Sequence, residues 1–230
     1  MKPFYFILLL LPLMGKSQEY VKPNSFIVKT NLFSPIDAFS FPTINLSVEK
    51  RVARNFSLAG EFGYQLYGFR KVDTAFVSPN GYKANIECRF YHLFTNDIRK
   101  TNTLTGGYLG INFFYRSNEN NVELIYYPNY NTGITKKDCL WASRNIYGSN
   151  IVLGYQGRIT PAILVDGYVG VGIMNRTSVN HEREYNNATD SLTRPIDFNI
   201  GEPIDQAYLK ENNGWRVSVN FGLRIGIKIK

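Results

Sequence analysis

From Trp215 to Lys230 the chain alternates without a break. Trp215, Val217, Val219, Phe221, Leu223, Ile225, Ile227 and Ile229 are apolar, and between them fall Arg216, Ser218, Asn220, Gly222, Arg224, Gly226 and Lys228. Side chains of a strand point alternately to opposite faces, so this stretch has one apolar face and one polar face. The same period of two defines eight strands: roughly Ser25–Phe33, Thr43–Lys50, Phe56–Tyr67, Gly81–Tyr91, Gly107–Arg116, Arg144–Gly157, Ile163–Asn175 and Gly214–Ile229. Most are near the ~10 residues that a tilted strand needs to cross a bilayer. The predicted fold is all-β, an eight-stranded antiparallel up-and-down transmembrane β-barrel.

The connections agree with it. Arg51–Asn55 and Arg158–Ala162 are short turns, whereas Ser117–Ser143 and Arg176–Asn213 are long. Outer-membrane barrels alternate short periplasmic turns with longer extracellular loops. The connection His92–Thr105 is long for a periplasmic turn and fits least well. A secreted soluble barrel of the lipocalin kind is the alternative, with its apolar faces turned inward around a ligand. Repeated glycines on the polar face (Gly63, Gly110, Gly154, Gly170, Gly172, Gly222, Gly226) argue for a narrow polar lumen.

Composition extends the picture to the compartment. Residues 1–17 read as an export signal, with Lys2 as a positive start and Phe4–Met14 as an apolar core. Cleavage is expected before Gln18, leaving 18–230 as one barrel domain in the outer membrane. Mean hydropathy of −0.22 does not suit a helical membrane protein but suits a barrel whose strands are half polar. The net charge of +8 is spread along the strands without a Lys/Arg run, which argues against a nucleic-acid partner. Cys88 is placed on an outward face and Cys139 in a loop, so neither a disulfide nor a metal or redox pair is expected.

Five segments carry a family likeness: Lys29-Thr-Asn-Leu-Phe33, Pro42-Thr-Ile-Asn-Leu-Ser-Val-Glu49, Asn55-Phe-Ser-Leu-Ala-Gly-Glu61, Gly106-Gly-Tyr-Leu-Gly110 and Val165-Asp-Gly-Tyr-Val-Gly-Val-Gly172. In these the chain resembles small outer-membrane β-barrel proteins of Bacteroidota with OmpA- or OmpX-like architecture. The resemblance covers the strands, not the two longest loops. It implies a fold and no catalytic residues.

Candidate chemistry lies mostly inside. With the apolar faces outward, the lumen holds Glu49, Glu61, Glu87 and Asp166 beside Lys29, Lys83, Arg89, Arg216 and Arg224. Charges in a narrow interior must pair or change protonation. An eight-stranded barrel is just wide enough for side chains to fill it, so a plugged lumen with a salt-bridge network is expected. At the surface, Tyr126, Tyr127, Tyr130 and Trp141 form a set of loop aromatics suited to partner contact, and Arg176–Asn213 is acidic. Asp73-Thr-Ala75 and Asp190-Ser-Leu192 match a short O-glycosylation sequence.

Catalysis has few carriers, since His92 and His181 are the only histidines. His181 could meet Ser178 or Ser191 if its loop folds back, the basis of a surface-hydrolase or lipid-modifying alternative. His181-Glu-Arg-Glu184 lacks the second histidine of a zinc-protease helix, and Gly170-Val-Gly172 lies inside a strand rather than at a dinucleotide-binding turn. The expected protein is therefore non-enzymatic and without cofactor or metal. It is a monomer set among outer-membrane lipid and lipopolysaccharide, with an extracellular protein or glycan as partner for its loops.

Overall fold

The computed structural model describes residues 26–36, 41–53, 55–65, 77–91, 104–131, 133–186, 188–192 and 211–229. The expected export signal, His92 and Asp73-Thr-Ala75 lie outside them. Among the described residues nine strands occur in order: β1 (Phe26–Asn31), β2 (Ile44–Ala53), β3 (Phe56–Tyr64), β4 (Val77–Tyr91), β5 (Gly106–Tyr127), β6 (Lys136–Arg158), β7 (Ile163–His181), β8 (Ser191–Leu192) and β9 (Asn212–Ile229). The structure is all-β and antiparallel. No helix among the described residues is long and apolar enough to cross a membrane by itself.

Neighbours in sequence are mostly neighbours in the sheet, and the sheet closes on itself. β1 pairs with both β2 and β9, β4 with β3 and β5, and β7 with β6 and β9. Eight strands thus form a ring, which leaves no free edge among them. The ninth, β8, is a two-residue strand that adds to the far end of β5 through Tyr126–Leu192 and Tyr127–Ser191. It was not expected, because two residues carry no readable period.

The ring is inside out relative to a water-soluble fold. On β9, Trp215, Val217 and Val219 are 63%, 69% and 66% exposed, whereas Ser218 and Arg224 on the other parity are buried. The apolar row continues round the outside through Val169 and Val171, Ile151 and Leu153, Ile111 and Phe113, Ile86, Leu58 and Phe62, and Leu46. These are the faces that the soluble alternative turns inward. Aromatic rings edge the apolar band. Tyr64, Tyr82, Tyr115, Tyr147 and Trp215 lie at one end, with Tyr64 opposite Tyr82 and Tyr115 opposite Tyr147 in register. The Tyr82–Tyr115 and Tyr147–Trp215 rings lie 5.8 and 6.1 Å apart. Phe26, Phe90 and Tyr155 mark the other end, where Phe56 and Phe90 pack at 4.9 Å.

Small residues let the walls approach. A side-chain carbon at Gly172 would sit 1.9 Å from the Ser149 carbonyl oxygen, while the Tyr108 ring occupies the space over Gly154. The inner end farthest from Trp215 is sealed by Ile27, Tyr91, Leu104, Tyr108, Val152 and Leu164. Leu104 belongs to the His92–Thr105 connection. Its side chain is buried in this seal, and its carbonyl accepts a hydrogen bond from Gln156 Nε2 at 2.5 Å.

Two expected loops are corrected. Much of Ser117–Ser143 continues the β5–β6 hairpin, with paired residues out to Tyr126 and Lys136. β7 likewise runs to His181, six residues past the expected Asn175. Beyond the aromatic band the buried face mixes Asn118 and Asp138 with Tyr126, Leu140 and Ala142, while Ile125 and Trp141 are exposed, so the apolar–polar alternation that marks a strand disappears while the backbone ladder persists. Cys139 accordingly lies on β6, opposite Glu123, rather than in a loop. It and Cys88 are free thiols.

Candidate functional site

The polar parity of six strands delivers its charges to one buried cluster. Arg89 on β4 is its centre and has no exposure. Its Nε and Nη2 donate to Glu87 Oε1 and Oε2 at 2.8 and 3.2 Å, and its Nη1 reaches Glu49 Oε2 at 3.2 Å and Asp166 Oδ2 at 2.8 Å. Lys29 Nζ lies 2.9 Å from the same Asp166 oxygen, and it also pairs with Glu49 and donates to Gln156 Oε1. Arg224 donates from Nε to Glu61 Oε2 at 3.0 Å and lies 3.5 Å from Glu87. Placing any one of these charges here is costly. The cluster is tolerable because each is shared among several partners.

Neutral groups complete it. Tyr91 donates to Glu49 at 2.7 Å, Tyr108 to Asp166 at 2.8 Å, and Ser57 to Glu49. Asn45 and Asn85 donate to Glu61 at 3.0 and 3.1 Å. The Arg89 and Arg224 guanidinium groups lie over the Tyr108 and Tyr168 rings at 4.5 and 3.9 Å, where the ring face attracts a cation. None of these neutral partners was singled out from sequence. Tyrosines on a polar parity (Tyr91 with Glu87 and Arg89, Tyr108 with Gly110) were the available sign.

Seven of the nine expected lumen charges meet in this cluster: Lys29, Glu49, Glu61, Glu87, Arg89, Asp166 and Arg224. Lys83 is buried but nearer the Tyr64–Tyr82 end, where it donates to the Phe41 carbonyl and lies 4.5 Å from the Phe41 ring. Arg216 stands apart. It has the inner parity yet is exposed, because its register partner Met174 lies at the level of the Trp215–Tyr147 rings, above the packed interior.

The extended hairpin forms a second, outer structure. Nine residues separate Asn118 from Tyr127, so the ribbon projects about 30 Å. The chain after β7 is strapped to it. Asp138 Oδ2, buried, accepts from the backbone N–H groups of Glu184 and Tyr185, both at 2.9 Å. Asp190 accepts from the Asn186 N–H at 2.9 Å and the Asn129 N–H at 3.1 Å. These hydrogen bonds, Asn186 first, hold the Asp190 carboxyl below its usual range.

The surface aromatics do not form one patch. Tyr126 is buried edge-on against Tyr185 at 5.4 Å, Tyr127 is half-buried beside β8, and Tyr130 is exposed with its hydroxyl on the Ala188 carbonyl. Trp141 sits five residues along β6 from Lys136, the partner of Tyr126, and lies against the His181 ring at 5.4 Å. The strand that replaces the expected loop separates them. His181 meets Ser143 at 3.3 Å, rather than the expected Ser178 or Ser191, because β7 places it opposite Trp141. Ser178 accepts from Arg176, and Ser191 is paired in β8. No group of three or more potential metal-ligating side chains occurs among the described residues.

The chain belongs to the family described as "Protein of unknown function (DUF3575)", which matches residues 4–195. The matched span carries every charge of the buried cluster except Arg224. No curated protein and no solved structure matches the chain.

Proposed function

We propose that this chain is a non-enzymatic, OmpA- or OmpX-like β-barrel of the bacterial outer membrane, exported behind a cleaved N-terminal signal. The eight-membered ring spans the bilayer, and the hairpin tower stands outside for partner binding or envelope support. The observation that carries this reading is the polarity of the ring: apolar side chains stand exposed around its outside, while Arg89, Glu49 and Asp166 are buried within. Water does not sustain a continuous apolar belt of this extent, whereas lipid requires one. The tyrosine and tryptophan rings at the margin of that belt match the place where a bilayer meets water.

The lumen is plugged. The ion-pair cluster crosses it, and the Ile27–Leu164 seal closes it below. Protein reconstituted in a planar bilayer should therefore give no steady conductance to small ions. Uniform single-channel steps would refute the plug.

A further inference from the structure

The two margins of the apolar belt differ in charge. At the tower end, outward residues beside the aromatic rings are neutral and hydrogen-bonded within the wall. Asn80 accepts from Tyr64 at 3.0 Å, Asn145 from Tyr115 and Ser117, both at 2.9 Å, and Asn213 from Thr177 at 3.4 Å. At the end with the short turns, the outward row of β2 runs Ile44, Leu46, Val48, Lys50, Val52, exposed throughout. A cation thus interrupts the belt just before its last apolar residue. Lys50 Nζ lies 5.2 Å from the centre of the Phe26 ring. A register shift between Arg51 and Ala53 marks a bulge here, a device that re-aims side chains at a barrel rim. Arg51 Nε is buried without a hydrogen-bond partner. Glu49 attracts this guanidinium from inside, but Lys29, Arg89, Tyr91 and Ser57 already engage that carboxylate. On the opposite side of the ring the β6–β7 turn repeats the combination, with exposed Arg158 beside Ile159, itself 65% exposed. Residues 50–53, 55–56 and 158–163 contain no carboxylate.

We propose that the turn end of the ring recognises the phosphate headgroups of anionic phospholipid, through Lys50, Arg51 and Arg158. This deepens the membrane reading above and rests on it. Lys50 lays its stem along the belt and carries its ammonium to headgroup level. Val52 and Ile159 sit at the acyl boundary beside the cations. Basic residues at a membrane surface draw anionic lipid to themselves. A zwitterionic headgroup brings its own cation, so it answers these charges less well. The neutral tower margin makes no such choice, and the preference therefore belongs to one leaflet.

The test is electron paramagnetic resonance of the full chain in phosphatidylcholine vesicles, with trace spin-labelled phosphatidylglycerol or phosphatidylcholine as probe. Lipid against the protein is motionally restricted, and the restricted fraction of each probe gives its relative affinity. Phosphatidylglycerol is expected to be preferred about threefold at low salt, falling toward parity at about 1 M salt. Lys50→Gln combined with Arg158→Gln should remove most of the preference, whereas Lys50→Arg keeps it. Both side chains are exposed, and unfolding curves establish that the variants are folded. Inorganic phosphate should compete no better than chloride at equal ionic strength. Selective competition by phosphate would mark a free-anion site and overturn the lipid assignment. Restricted lipid without headgroup preference, or wild-type preference in the folded double variant, would overturn this inference alone. Absence of restricted lipid of either kind would remove the membrane reading and this inference with it.

Discussion

Arg89 Nη1 lies 2.8 Å from Asp166 Oδ2, joining β4 to β7 across the interior although these strands share no backbone hydrogen bonds. Cross-ring contacts of this kind fix the wall at points that the backbone ladder leaves independent. Deleting one partner leaves buried charge of the other sign uncompensated. Arg89→Met should therefore lower the unfolding free energy by about 3–5 kcal/mol. Urea unfolding in micelles measures it. Adding Asp166→Asn should cost less than the sum of the two single changes, since the residues share a network.

Glycine tolerance should differ sharply between the faces. Gly60 has open space where a side chain would point, so Gly60→Ala is expected to stabilise by about 0.4–1 kcal/mol through the unfolded chain. At Gly172 the added carbon meets the Ser149 carbonyl at 1.9 Å, and Gly172→Ala should cost about 1–3 kcal/mol. Thermal unfolding of the two variants side by side checks the contrast.

Val169 stands exposed about midway along the apolar part of β7. If lipid surrounds it, Val169→Arg should destabilise the bilayer-inserted protein by about 2–4 kcal/mol. In a water-soluble ring the same change would be close to neutral. Unfolding from lipid vesicles, compared with wild type, separates these results.

The strap after β7 should respond to acid. Its Asp190 carboxyl is held below the usual range by the Asn186 and Asn129 N–H groups, so the folded group loses its proton more readily than the unfolded one. Its contribution is complete above the unfolded value of about 3.9 and is lost as pH falls through the lower folded value. Amide exchange at Asn186 and Asn129, corrected for intrinsic rates, should thus show protection at pH 6 that fades below about pH 4. In Asp190→Asn this pH dependence should vanish.

Much of the ring was legible because the apolar parity survives wherever one face meets the outside of the ring. Val217 and Arg224 declare their sides by position alone. The tower was not legible, since its buried face mixes Asn118 and Asp138 with Tyr126 and Leu140 while Ile125 and Trp141 lie outside, and Asn118–Asn121 reads as loop. Parity placed Glu49, Glu87, Arg89 and Asp166 on the inner face, but it cannot tell height along the ring. Arg216 was consequently grouped with charges that it does not reach. Leu104 lies outside any periodic run, so its part in the seal follows only from three-dimensional proximity to Gln156.

Membrane fractionation of cells making the full chain, followed by protease shaving of intact cells, tests the outer-membrane assignment most directly. The protein should remain in the outer-membrane fraction until detergent is added. Protease should cut within Arg176–Asn213 and leave the strand segments protected. Recovery of the native protein in the soluble fraction without detergent would contradict it.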